Sequence, residues 1–258
     1  MQRREAEPTN RWLREMRGVP RPDLRLVCLP HAGGAASFFH PWAQSVPEGV
    51  ELLAVRYPGR EDRFLDPPAR TMAELAEPIA RECARLADSG VPLALFGHSM
   101  GASVAHEVAL RLRSDHGVAL AGLFLSGRRG PGHEQPTGLA DADDEELISA
   151  VGRLGGTDPR IFADPGLRAL VLPLIRADYR LLESHRTPTG GPPLDVPVVA
   201  YYGTRDERVD PESVAAWSSA TRSSFRARPF EGGHFYLVDR LRPLLADLFA
   251  TLGHPLAA

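Results

Sequence analysis

The chain has 258 residues, of which 43% are hydrophobic and 24% charged, so it can bury a sizeable core and is neither disordered nor fibrous. No apolar run approaches the ~18 residues needed to span a bilayer, and a formal net charge of −3 supplies no basic field for holding nucleic acid or an anionic membrane.

Residues 1–23 read as a polar N-terminal extension, rich in Arg but interrupted by Glu5, Glu7 and Glu15, with no apolar block of signal-peptide length. A cytoplasmic location is the resulting expectation, with a single domain over residues 24–258. Every cationic residue is Arg, which reads as a coding bias. Cys28 and Cys83 lie far apart without a CxxC pair, so the sequence predicts two buried thiols and neither a disulfide framework nor a metal site.

Short apolar runs bounded by turn residues follow at 24–29, 51–56, 92–96, 120–126, 196–202 and 224–230. Helix-length segments separate them, the alternation expected of a mostly parallel sheet flanked by helices. Residues 72–88 carry Met72, Leu75, Ile79, Cys83 and Leu86 at spacings of three and four, one stripe of a helix. Residues 103–113 and 241–252 read as two further helices. From about 130 to 193 the alternation breaks into a polar loop, an acidic helix start at 141–146, amphipathic stretches at 147–154 and 167–182, and a Pro/Gly linker at 188–193. This block is predicted to be a helical insertion between two strands.

Gly97-His98-Ser99-Met100-Gly101 matches G-x-S-x-G between an apolar strand and a helix. Such a turn needs Gly97 and Gly101 because side chains there would collide with neighbouring backbone, and it holds His98 and a strained Ser99 at the top of the sheet. Ser99 is the predicted nucleophile. In this arrangement the acid and then the base follow in sequence. Asp206 comes directly after the strongly β-branched strand at 196–202 and is favoured over Asp178, placed on an insertion helix, and Asp210, a helix cap before Pro211. His234 follows Gly232-Gly233 after the next strand and is favoured over His185 in the insertion and His254 in the tail. An imidazole titrates where a hydroxyl needs a base, and a carboxylate would fix its tautomer. The oxyanion of a tetrahedral intermediate needs backbone donors, predicted as the N–H groups of Met100 and of Ala32, in the loop Pro30-His31-Ala32-Gly33-Gly34, with His31 a neighbouring candidate. The fold class predicted is α/β, specifically the α/β-hydrolase fold.

With these motifs placed, the chain resembles the type II thioesterases that accompany polyketide synthases and nonribosomal peptide synthetases. The resemblance spans about 24–252 and rests on Leu29-Pro30-His31-Ala32-Gly33-Gly34, Tyr57-Pro58-Gly59-Arg60-Glu61 with Arg63, the Ser99 motif, Gly203-Thr204-Arg205-Asp206 and Gly232-Gly233-His234-Phe235. It implies that the insertion is a lid. It also implies editing: hydrolysis of aberrant or stalled acyl groups from the phosphopantetheine arm of acyl- or peptidyl-carrier proteins, with no cofactor or metal of its own. Arg60, Arg63, Arg128 and Arg129 are candidates for pairing with the arm's phosphate or the carrier's acidic surface. A monomer is expected, with no nucleic acid or membrane partner. A carboxylesterase or lipase-like hydrolase, and a non-catalytic protein keeping the shell as a ligand pocket, are the alternatives.

Overall fold

The computed structural model describes residues 10–156 and 158–256. In chain order the elements are β1 (Leu13–Arg17), β2 (Leu24–Leu29), β3 (Val50–Val55), α1 (Met72–Ala87), β4 (Leu93–His98), α2 (Met100–His116), β5 (Gly122–Ser126), α3 (Asp144–Leu154), α4 (Arg160–Ala163), α5 (Pro165–Ser184), β6 (Val198–Gly203), α6 (Pro211–Ala215), β7 (Phe225–Phe230), α7 (Tyr236–Asp239) and α8 (Leu241–Thr251). The strands form one sheet in the order β1-β3-β2-β4-β5-β6-β7. All neighbours are parallel except β1, which runs antiparallel to β3 with Leu13 opposite Val55. This is the expected α/β-hydrolase architecture, and no helix among the described residues is long and apolar enough to cross a membrane.

Strand alternation divides the core. Val27 and Leu29 of β2 face α1 and α2, packing with Ile79 and Val108, while Leu26 and Cys28 face the other side with Phe39, Trp42, Phe96 and Phe249. Both faces of β2 to β6 are covered, which is why those strands read as near-continuous apolar runs, whereas the edge strands β1 and β7 do not. Cys28 and Cys83 are buried and free, as expected.

The polar extension proves to be only partly outside the domain. Its residues 1–9 lie outside the described residues, but β1 within it joins the sheet. Asn10 Oδ1 accepts from the N–H groups of Trp12 and Leu13 at 3.0 Å, and the Arg63 guanidinium sits 4.1 Å from the Trp12 ring centroid. Edge position explains the misreading: Leu13 is buried, whereas the rest of Leu-Arg-Glu-Met-Arg is only half-buried or exposed, so it lacks the apolar signature of an interior strand.

The insertion folds as α3, α4 and α5 around its own small core, in which Leu147, Val151, Leu172, Ile175 and Tyr179 pack together and against Ala32. The acidic run at its start does cap a helix: Asp143 accepts from the N–H of Glu146 at 2.8 Å, with acidic residues throughout the first turn of α3. Asp164 caps α5 in the same way, with Pro165 in the first turn.

Candidate active site

The carboxyl ends of the parallel strands place the site. Register sets Leu29 of β2 beside Gly97 of β4, and His98 beside Ser126 of β5, so the Pro30 loop and the turn carrying Ser99 emerge next to one another. A Cβ on Gly97 would stand 2.6 Å from the Ala102 nitrogen, and one on Gly101 would stand 2.6 Å from the Leu29 carbonyl carbon and 2.7 Å from the Pro30 oxygen. Glycine is needed at both places for backbone clearance. Ser99 has φ 53 and ψ −115, one of two non-glycine residues with positive φ among those described. It precedes α2 but makes no side-chain capping bond, which leaves its hydroxyl free.

The loops carrying Asp206 and His234 meet in the same way. A Cβ on Gly203 would lie 2.6 Å from the Gly232 oxygen, and the Arg205 N–H donates to that oxygen at 2.8 Å. The backbones therefore touch, and His234 Nδ1 comes within 2.7 Å of Asp206 Oδ2, both side chains being almost wholly buried. Asp206 Oδ1 accepts from the Arg208 N–H at 2.9 Å. Because a carboxylate only accepts, Nδ1 carries the proton and Nε2 keeps its lone pair for the cavity. Ser99 and His234 line one cavity of about 250 Å3 together with Ala32, Arg128 and Tyr179. No hydrogen bond joins Ser99 to His234 in this structure, a separation common in sites without substrate.

Two other histidines flank the base. The His98 ring lies 4.9 Å from that of His234, and its Nδ1 is 2.9 Å from Ser126 Oγ, which in turn is 2.7 Å from the Tyr236 hydroxyl. Burial holds His98 well below the usual imidazole range, helped by the neighbouring His234 and His31. His31 packs edge-on against Phe38 and Phe235, and burial pulls it down to about 3. Both are therefore neutral at neutral pH. His98 is held by its bond to Ser126, and His31 packs between the Phe38 and Phe235 rings in the loop after β2.

The rivals fall elsewhere. Asp210 caps α6 through a reciprocal pair of bonds with Ser213. His185 Nε2 is 3.7 Å from Glu107, and His254 lies in the half-buried tail. Asp178 is buried on α5, away from His234, where it accepts from the Gly33 N–H at 2.7 Å and pairs with Arg60. The expectation that Arg60 and Arg63 face a partner is overturned. Arg60 is buried against Asp178, and Arg63 is bonded to Asp66 at 2.7 Å and to the Arg56 carbonyl oxygen. Arg128 and Arg129 do line the cavity, Arg128 donating to Ser103 Oγ at 2.9 Å and Arg129 pairing with Asp210 at 3.0 Å. Among the described residues no cluster of His, Cys, Asp or Glu could hold a metal ion.

Sequence reasoning missed the bond at Gly33, whose partner Asp178 is 145 residues away in the chain, and it missed Ser126 and Tyr236 behind His98. No local pattern marks such pairs.

Comparison with known proteins agrees with this geometry. A family model described as "Thioesterase domain" matches residues 24–252. The thioesterase PikA5 of Streptomyces venezuelae is 40% identical over 249 residues, covering 95% of this chain and 88% of that protein. The gramicidin S biosynthesis protein GrsT of Aneurinibacillus migulanus is 32% identical, covering 89% of each. Among solved structures, the RedJ thioesterase from the prodiginine pathway of Streptomyces coelicolor superposes with a TM-score of 0.83 at 35% identity, covering 96% of this chain and 91% of that one. The type II thioesterase BorB from the borrelidin cluster gives 0.81 at 38%, covering 93% and 97%. With its sheet, its strained serine and its joined acid and base loops in this setting, the chain belongs to the thioesterase domain family.

Proposed function

We propose that this protein is a type II, editing thioesterase that removes aberrant or stalled acyl groups from the phosphopantetheine arm of carrier proteins in polyketide or nonribosomal peptide assembly. The observation that carries the mechanism is the 2.7 Å contact between Asp206 and His234, which lines one cavity with Ser99. The relatives' descriptions, type II thioesterase among them, support the substrate class.

His234 Nε2 takes the proton of Ser99 as the hydroxyl oxygen attacks the thioester carbonyl. The backbone N–H groups of Ala32 and Met100 hold the resulting oxyanion, each donor being worth roughly 2.7–4 kcal/mol in comparable sites. Collapse breaks the carbon–sulfur bond, and the imidazolium returns its proton to the departing pantetheine thiol. Water then attacks the acyl-serine with His234 again as base, releasing a carboxylic acid and restoring Ser99. Asp206 stabilises the imidazolium in both halves.

The cavity lining suits a polar arm. Burial brings Arg128 down to about 10, and among the described residues no carboxylate lies within ion-pairing distance of its guanidinium. Arg128, Arg186 and Arg208, all lining the cavity, can donate to the amide carbonyls of pantetheine or to oxygenated acyl groups. The enzyme works without metal or cofactor, as a cytoplasmic monomer, with every part of its site drawn from one chain.

Two measurements test this. A fluorophosphonate should label the wild type and not Ser99→Ala. The ratio of kcat/KM for acyl-carrier proteins to that for simple oxygen esters should be large. Equal labelling of both proteins, or a preference for oxygen esters, refutes the reading.

A further inference from the structure

We propose that Asp178 and Arg60 are positioning residues that fasten the lid helix to the oxyanion loop, so that the hole is complete only while α5 is seated. This rests on the assignment of Ala32 as an oxyanion donor. Asp178 sits in the middle of α5 and is buried, yet one of its oxygens accepts from the N–H of Gly33, the residue after Ala32, at 2.7 Å. The same carboxylate pairs with Arg60, itself buried. Arg60 comes from the turn after β3 and is held there by the Pro58 carbonyl oxygen at 2.8 Å.

The loop is gripped at further points. Ile175, one turn before Asp178, lies where a Cβ on Gly33 would come within 2.8 Å of it. On the other side of Ala32, the Tyr57 hydroxyl donates to the Pro30 carbonyl at 3.3 Å. Gly33 has φ +73, a backbone turn that glycine adopts readily, and its N–H is committed to Asp178. A peptide flanked by anchored neighbours has little freedom to rotate, and an oxyanion donor must point correctly before charge develops. Lifting α5 carries Asp178 and Ile175 away together, freeing the loop on the lid side. The ion pair also explains why a carboxylate is tolerated in an otherwise apolar helix face: its charge is met by Arg60 and by a backbone donor.

The test separates the charge pair from the bond to Gly33. In Asp178→Asn/Arg60→Met the two charges are gone but an amide oxygen still accepts from Gly33; in Asp178→Leu/Arg60→Met the acceptor is gone too. The leucine variant should turn over roughly 10- to 100-fold more slowly than the asparagine variant, part of the loss seen when a whole donor is removed. KM should agree within about threefold and the pH midpoint of kcat/KM should not move, because His234 is untouched. Fluorophosphonate labelling should slow in the same ratio. Equal kcat for the two variants, or a difference confined to KM, overturns the proposal. Should the leucine variant not fold, Ile175→Ala in the otherwise intact enzyme should still lower kcat by about threefold or more at unchanged KM, and wild-type kcat there is equally fatal. Ala32→Pro, which deletes the donor, distinguishes the levels: undiminished turnover removes the oxyanion assignment and this proposal with it, whereas a slow Ala32→Pro beside matched double variants removes the fastening alone.

Discussion

Gly101→Ala turns the close backbone approach beside Ser99 into a measurable penalty. The added methyl carbon would lie 2.6 Å from the Leu29 carbonyl carbon and 2.7 Å from the Pro30 oxygen. That is roughly 1 Å inside the ~3.5 Å at which such atoms rest comfortably. Every atom it meets there is backbone, so no rotamer change relieves the contact, and either α2 or the end of β2 must move. Overpacking of this kind costs about 1–3 kcal/mol, and a shift near 1 Å at a reacting group costs on the order of 100-fold in rate. Urea unfolding should therefore give a loss of about 3 kcal/mol, and kcat towards an acyl thioester should fall by about 100-fold. Gly152→Ala is the matched control. It lies within α3 with open space around it and no positive φ, so alanine there should stabilise by about 0.5–1 kcal/mol. If Gly101→Ala changes stability by less than about 0.5 kcal/mol and retains kcat within threefold, the packing argument for the turn is wrong.

Asp206→Asn should leave KM nearly unchanged and reduce kcat by about 10^3- to 10^4-fold, because the wrong tautomer of His234 is then favoured; steady-state kinetics with a loss below tenfold would count against Asp206. The unfolded chain protonates His31 near 6.5 and the folded chain only at about 3, so the unfolded state binds the extra proton between those values and stability falls as pH drops through that window. His31→Gln should thus flatten the fall in unfolding free energy between about pH 6 and pH 4.5 by roughly 1.4 kcal/mol per pH unit, and an unaltered slope would refute a buried neutral His31. Leu13→Ala should cost about 2–3 kcal/mol in denaturant unfolding while kcat stays at the wild-type value, since β1 lies beyond β3 and β2 from the strand bearing Ser99; unchanged stability would show that β1 is not part of the folding unit.

Much of the site was legible because its chemistry is local. The glycines around Ser99 and the loop carrying Asp206 follow apolar strands, the glycines before His234 follow the strand at 225–230, and a strand-to-loop boundary is written in neighbouring residues. The insertion was legible for a similar reason, since α3 and α5 carry their own caps and apolar stripes. The edge strand was not, because a strand with only Leu13 buried has no apolar run to read.

The sequence by itself determined the alternation of strands and helices, the turn that carries Ser99, and the placing of Asp206 and His234 in loops after two later strands. Only the tertiary structure decided that Arg60 and Arg63 face inward, that Asp178 of α5 holds Gly33, and that the Gly203 and Gly232 backbones touch. Periodicity and turn chemistry act over a few residues and leave a mark on composition. An ion pair between residues 118 positions apart leaves none, because whether an arginine meets a carrier protein or a buried carboxylate depends on where the sheet register and the inserted helices bring the rest of the chain.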